Sequence, residues 1–180
     1  MPLFRCLLLV LYCELGQLEN GRRVFEELAR RCFSDLPVNN DWLHSVCLLS
    51  EAATALGDSA RAAVLYDLLR PYDWAVVDDV QVSLGAVARF LGLLATTLSR
   101  WDEAAAHCER ALEKNRQMGA RLWTAHTESE FARMLLQRCQ PGDRQRAILL
   151  LRSALTASGK LGMRALEVKV AAQQQALGVK

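Results

Sequence analysis

Leu56-Gly57-Asp58-Ser59-Ala60-Arg61-Ala62 reads as a tight turn that opens into a helix on a small residue. Two other stretches repeat the pattern: Leu98-Ser99-Arg100-Trp101-Asp102-Glu103-Ala104 and Pro141-Gly142-Asp143-Arg144-Gln145-Arg146-Ala147. A weaker copy is Leu15-Gly16-Gln17-Leu18-Glu19-Asn20-Gly21. The small residues Gly21, Ala62, Ala104 and Ala147 are therefore 41, 42 and 43 positions apart. A period of this size marks a helical array, because one helix pair cannot bury its apolar face alone and must stack on the next.

Composition agrees with an array. The chain has 180 residues, 52% of them hydrophobic and 23% charged, enough apolar material for a packed core. The 10 glycines and 4 prolines fall between apolar periodic segments rather than inside them, which suits an all-α protein. The net charge is +2 with both signs interleaved, so no broad basic field for nucleic acid is expected. In Arg22-Arg23 and Arg30-Arg31, Glu26 and Glu27 stand four residues before Arg30 and Arg31, the favourable order for pairing along a helix. Cys6, Cys13, Cys32, Cys47, Cys108 and Cys139 form no CxxC pair and mostly occupy apolar helical positions. They read as reduced core thiols of a cytoplasmic protein rather than a disulfide framework or metal site.

The pattern predicts nine helices: about 3–15, 18–33, 42–56, 59–70, 79–98, 101–118, 121–138, 143–158 and 163–177. Asp41 and Asp143 are expected caps, Gly57 a left-handed stop and Pro71 a helix breaker. Asp78 and Asp79 suit the start of the 79–98 helix, whose stripe is Val80, Leu84, Val87, Leu91, Leu94 and Leu98. The helices group into one domain over 1–180, with repeats of about 2–36, 41–78, 79–119 and 120–161. The segment 163–177, with Gln173, Gln174 and Gln175 mostly on one side, serves as a capping helix. Trp42, Trp101, Trp123, Tyr72 and Trp74 are expected to pack between repeats. The first helix is apolar nearly all round. It is too short to span a bilayer and lacks a signal-cleavage site, so no membrane role is expected. Leu7, Leu8, Leu9 and Leu11 cannot all be buried by one neighbour. Self-association or an upstream repeat would cover the remainder.

Residues with catalytic chemistry do not converge. Ser158-Gly159-Lys160-Leu161-Gly162 lacks the first glycine and the final hydroxyl of a phosphate loop. His44 and Cys47 share a helix face, but no second pair of matching spacing completes a zinc site. His126 and Glu130 form no HExxH, and His107 and Cys108, as neighbours, point to different faces. The expectation is a non-enzyme without metal or cofactor.

The repeats resemble tetratricopeptide repeats. The matching residues are Leu8, Leu9, Tyr12, Gly16 and Phe25; Gly57, Ala62 and Tyr66; Leu91, Gly92, Ala104 and Ala111; and Gly142, Ala147 and Ala154. Ser99 stands where that motif has its turn glycine, Cys108 where it has an aromatic residue, and Gly21 where it prefers alanine. The period exceeds the usual length of about 34 residues. Longer repeats of this kind look like the C-terminal arrays of large bacterial signalling ATPases, including regulators similar to the maltose-regulon activator and those fused to nucleotide-cyclase or LuxR-type domains. Gly85–Leu94, Arg100–Ala104 and Met118–Trp123 look especially like them.

The resemblance implies a right-handed α-α superhelix of about four helix pairs, with the first helix of each pair lining a concave face. Groove positions would then be His44 and Glu51; Arg89, Leu93 and Thr96; and Arg121, Thr124 and Glu128. The implied function is a non-catalytic scaffold that binds a protein, a peptide or a neighbouring domain in a signalling or transcription-regulatory system. The alternative is a small-molecule effector-sensing module, which requires a deeper and more apolar pocket.

Overall fold

In the computed structural model, residues 2–78 and 83–178 are described, and helices carry most of them. The helices are α1 (Pro2–Glu14), α2 (Leu18–Leu28), α3 (Trp42–Leu56), α4 (Ser59–Leu69), α5 (Val87–Thr97), α6 (Trp101–Gln117), α7 (Arg121–Arg138), α8 (Asp143–Leu161) and α9 (Arg164–Ala176). A two-stranded antiparallel hairpin, β1 (Val76–Asp78) and β2 (Ser83–Ala86), precedes α5. The chain divides into two compact units, Met1–Arg100 and Trp101–Lys180. That boundary falls inside the 79–119 segment expected as one repeat. Among the described residues, no helix is long and apolar enough to cross a membrane.

One backbone device ends five of the nine helices among the described residues. Gly16, Gly57, Ser99, Gly119 and Gly162 all adopt a left-handed conformation, with φ of 71°, 66°, 56°, 67° and 67°. In each case the next amide bonds back to a carbonyl five residues earlier, as Asp58 does to Ala53 and Arg100 to Ala95. The two bonds of this turn satisfy carbonyls that the helix end would otherwise leave open. Glycine adopts this geometry at no steric cost, whereas Ser99 carries a Cβ into it.

In the first unit, α3 packs against α1, α2, α4 and α5, and α4 also packs against α5. The small residues let the helices approach closely. A methyl group at Gly21 would lie 3.3 Å from the Cys13 Sγ, and Ala62 is fully buried. Phe25, Leu49, Leu65, Leu69, Phe90 and Leu91 fill the core. Cys6 and Cys47 lie in it as well. Burial pushes the Cys6 thiol up to about 11 and the Cys47 thiol well above its ordinary value, so neither is a thiolate at neutral pH. Cys32 and Cys139, by contrast, are exposed rather than core residues. Along α1, Leu9 is fully buried and Leu7 half-buried, while Phe4, Leu8, Leu11 and Leu15 form an exposed stripe at helical spacing.

The second unit stacks α6, α7, α8 and α9 in sequence order. Ala104, Ala111, Ala132, Ala147 and Ala154 are fully buried, around Phe131, Met134, Leu135 and Leu151. The turn between α7 and α8 is locked by charge. The Arg138 guanidinium donates to both Asp143 oxygens at 2.9 and 2.7 Å, and the Gln140 amide donates to one of them. This arrangement holds the Asp143 carboxyl below the usual carboxylate range, the Arg138 hydrogen bonds being the main cause.

Several expected elements differ. The helix placed at 18–33 stops at Leu28, after which Arg31, Cys32 and Phe33 take positive φ. Arg30 and Arg31 therefore leave the helical register. Glu26 pairs instead with Arg61 of α4, and Glu27 with Arg5 of α1. The helix placed at 79–98 begins only at Val87, because Ser83, Gly85 and Ala86 pair with Asp78, Val77 and Val76 in the hairpin. Asp78 is thus a strand residue, while Asp79 and Val80 lie outside the described residues. Asp41 stands at the N-cap position of α3, and its carbonyl accepts the Ser45 amide at 2.9 Å, but its side chain makes no cap bond. Its amide donates to the Asn39 side chain. Asp143 is the first helical residue of α8 rather than its cap. The cap that does form is Asp58, which accepts from the Arg61 amide and guanidinium. Tyr72 stacks on Trp42 at 5.5 Å, but Trp74 is 77% exposed and packs between no repeats.

Two outcomes follow for stability. Gly57→Ala should cost about 1 kcal/mol, because a Cβ is forced into the left-handed region. Ser99→Gly should gain a few tenths to about 1 kcal/mol by removing one. Urea midpoints for both variants check the pair, and a loss of stability on Ser99→Gly would show that Ser99 is not strained. The Asp143 contribution is complete above the ordinary carboxylate pKa of about 3.9 and is lost as pH falls through its lower folded value. Thermal unfolding between pH 7 and pH 2 should therefore show a loss of stability on acidification. That loss should shrink in Asp143→Asn, which is itself destabilised by about 1–3 kcal/mol at pH 7.

Candidate partner-binding surface

Three helices carry the eight residues expected to face a partner. His44 and Glu51 are seven apart on α3. Arg89, Leu93 and Thr96 follow i, i+4, i+7 on α5, and Arg121, Thr124 and Glu128 follow i, i+3, i+7 on α7. Each set thus shares one helix face. What differs between sets is what that face meets.

In the first unit, the faces of α3 and α5 meet each other. The Arg89 Nη2 donates to the Glu51 Oε1 at 2.6 Å, and the same guanidinium lies 4.9 Å from the Phe90 ring centroid. Arg89 is only 3% exposed and Glu51 23%. One helical step further, the Thr97 hydroxyl donates to the Thr54 hydroxyl at 3.3 Å. Thr96 bonds back to the Gly92 carbonyl at 2.7 Å. His44, Leu93 and Thr96 are buried. A long polar side chain at a close helix crossing must find its partner inside the fold, since an unpaired buried charge is expensive. Arg89 and Glu51 are such a pair, and they tie α3 to α5.

In the second unit, Glu128 is also buried, and its carboxylate accepts from Arg116 of α6 at 3.1 Å. Beside it, the Asn115 amide donates to the Thr127 hydroxyl at 3.3 Å, a second buried polar link between α6 and α7. Thr124 is half-buried and bonds back to the Ala120 carbonyl. Arg121 alone of the eight is exposed.

Five of the eight residues, His44, Arg89, Leu93, Thr96 and Glu128, are therefore buried, and Glu51 and Thr124 are half-buried. Periodicity identified a shared face but not whether that face meets solvent or another helix.

The residues around Arg121 come from α8 and were not anticipated. Arg152, Ser153, Thr156, Ala157 and Lys160 line a shallow cleft of about 410 Å³ together with Arg121. Their signal in the sequence is the row Arg152, Thr156, Lys160 at four-residue spacing on the polar side of a helix. A second, more enclosed cavity of about 370 Å³ lies among α7, α8 and α9, with Leu135, Leu136, Ala176 and Leu177 as its apolar wall and Arg133, Gln140, Asp143, Arg144 and Gln173 as polar members.

The chain matches no family model, no curated protein and no solved structure.

The Arg89–Glu51 pair makes an asymmetric prediction. Glu51→Ala leaves the guanidinium buried without this carboxylate and should destabilise the chain by about 2–4 kcal/mol. Replacing both partners, as Arg89→Met with Glu51→Leu, should cost far less than the sum of the single changes. Chemical denaturation of the two single variants and the double variant measures the coupling. Additive losses would show that the pair does not act as a unit.

Proposed function

We propose that this chain is a tetratricopeptide-like helical-repeat module, a right-handed superhelix that binds a partner protein or a neighbouring domain and performs no chemistry itself. The observation that carries the reading is the equivalence of the small residues. Gly21, Ala62, Ala104 and Ala147 occupy the second helix of successive pairs and are all buried, where each allows close helix contact. Repeats built on one contact rule make an extended surface rather than a single reactive pocket. Left-handed residues at Gly16, Gly57, Ser99 and Gly142 precede those helices and support the same scheme. The resemblance to bacterial signalling ATPases and LuxR- or cyclase-linked regulators supports a role in a cytoplasmic signalling or transcription-regulatory system. Its partner is a protein or peptide, with no direct role for nucleic acid or membrane. The exposed stripe Phe4, Leu8, Leu11 and Leu15 is the surface through which the first helix would self-associate.

The second reading, an effector-sensing module, draws on the 370 Å³ cavity of the second unit. Its exposed lining is mainly apolar, as in the general make-up of small-molecule sites.

A photo-crosslinking amino acid separates the two readings. It is placed at Thr54 and at Thr124, both half-buried on first helices, and at Asp67 and Val168, both exposed on other helices. The scaffold reading expects the same discrete protein adduct from Thr54 and Thr124 in cells, and none from Asp67 or Val168. Adducts confined to Asp67 or Val168, or none at any position, would reject it.

A further inference from the structure

The cleft at the start of α7 gathers positive charge from two helices. Arg152 and Lys160 lie in one row on α8, two helical turns apart, with Thr156 between them and Ser153 beside them. α8 folds back along α7, so the row reaches the first residue of α7, Arg121. The first turn of α7 carries no acidic residue. A cation therefore sits at the positive end of an 18-residue helix, where the dipole favours an anion.

Three other arginines of this unit have a carboxylate partner. Arg116, Arg138 and Arg146 each pair with a carboxylate, Glu128, Asp143 and Glu109 respectively. Among the described residues, Arg121, Arg152 and Lys160 form no ion pair. The Glu167 carboxylate of α9 lies 3.9 Å from where a Cβ on Gly159 would stand, next to Lys160, but pairs with none of the three. Three like charges and a helix end thus share one concave patch, and their summed potential concentrates anions there.

The donor set specifies which anion. Two guanidinium groups present planar forks suited to paired oxygens, the ammonium is a compact point charge, and the Ser153 hydroxyl adds a neutral donor, while the Thr156 hydroxyl donates to the Arg152 carbonyl at 2.9 Å. A carboxylate has two oxygens and one charge, too few to satisfy this set. A phosphate monoester near neutral pH carries close to two charges on three terminal oxygens. We infer that this cleft binds a phosphate monoester group. The inference does not depend on the superhelix or on a protein partner, and it stands if the crosslinking experiment fails.

The test is a titration of the isotope-labelled full chain with inorganic phosphate, followed by amide shifts in two-dimensional NMR at constant ionic strength. Saturable shifts are expected at residues 121–124 and 152–160, with no comparable response to added chloride. Arg121→Gln and Arg152→Gln should each weaken the apparent affinity by about tenfold, the loss of one charge-assisted contact. Both side chains are exposed, so the variants should keep the parent melting temperature, and the spectra report folding directly. A phosphoserine peptide that binds more tightly than free phosphate identifies a phosphorylated protein segment as the natural source. Equal affinity identifies a small phosphorylated molecule. Shifts that do not saturate, that appear equally with chloride, or that persist undiminished in both variants would overturn the inference.

Discussion

Helices in this chain approach one another over side chains no larger than a methyl group. Gly21, Ala62, Ala104 and Ala147 are buried where one helix leans on the next, and Ala111, Ala132 and Ala154 extend the rule through the second unit. Close approach multiplies weak dispersion contacts along each crossing. It also dictates what else those surfaces can hold. A long side chain at such a crossing has no route to water, so it must be apolar or must be paired within the fold. Phe25, Phe90 and Phe131 follow the first course, and Arg89 with Glu51 the second.

The buried polar residues therefore belong to the architecture. Arg89–Glu51 joins α3 to α5, and Arg116–Glu128 with Asn115–Thr127 joins α6 to α7. Arg138–Asp143 closes the turn between α7 and α8. Each link connects helices that apolar packing alone would leave free to slide, and each has geometric requirements that a shifted register would break. Exposed cations without such a partner carry a different meaning. Arg121, Arg152 and Lys160 line one cleft and form no ion pair among the described residues, and the positive end of α7 adds to their field.

The hairpin before α5 shows how a local reading goes astray. Val80, Leu84, Val87 and Leu91 fit a helical stripe, yet the segment also holds Val76, Val77, Val80 and Val82, whose branched side chains favour extended backbone. Ser83–Ala86 adopts a strand because Val76–Asp78 is there to pair with it, and that pairing is invisible to a helical count. The end of α2 is a similar case. Glu26 and Glu27 match Arg30 and Arg31 in helical spacing, but the helix stops at Leu28, and Arg61 and Arg5 take the carboxylates from neighbouring helices.

The sequence by itself determined the helical class, most helix positions and the stop at Gly57. These depend on short-range facts: apolar periodicity, and the one residue type that turns left-handed without strain. It also marked the faces of α3, α5 and α7 that carry related residues. Only the tertiary structure decided what those faces meet. Burial of His44, Arg89, Leu93, Thr96 and Glu128, exposure of Arg121, and the convergence of Arg121 with Arg152 and Lys160 all depend on residues 30 or more positions away or on how two helices lie together. A helical period specifies a direction around one axis, while the neighbour in that direction is set by the crossing of whole helices.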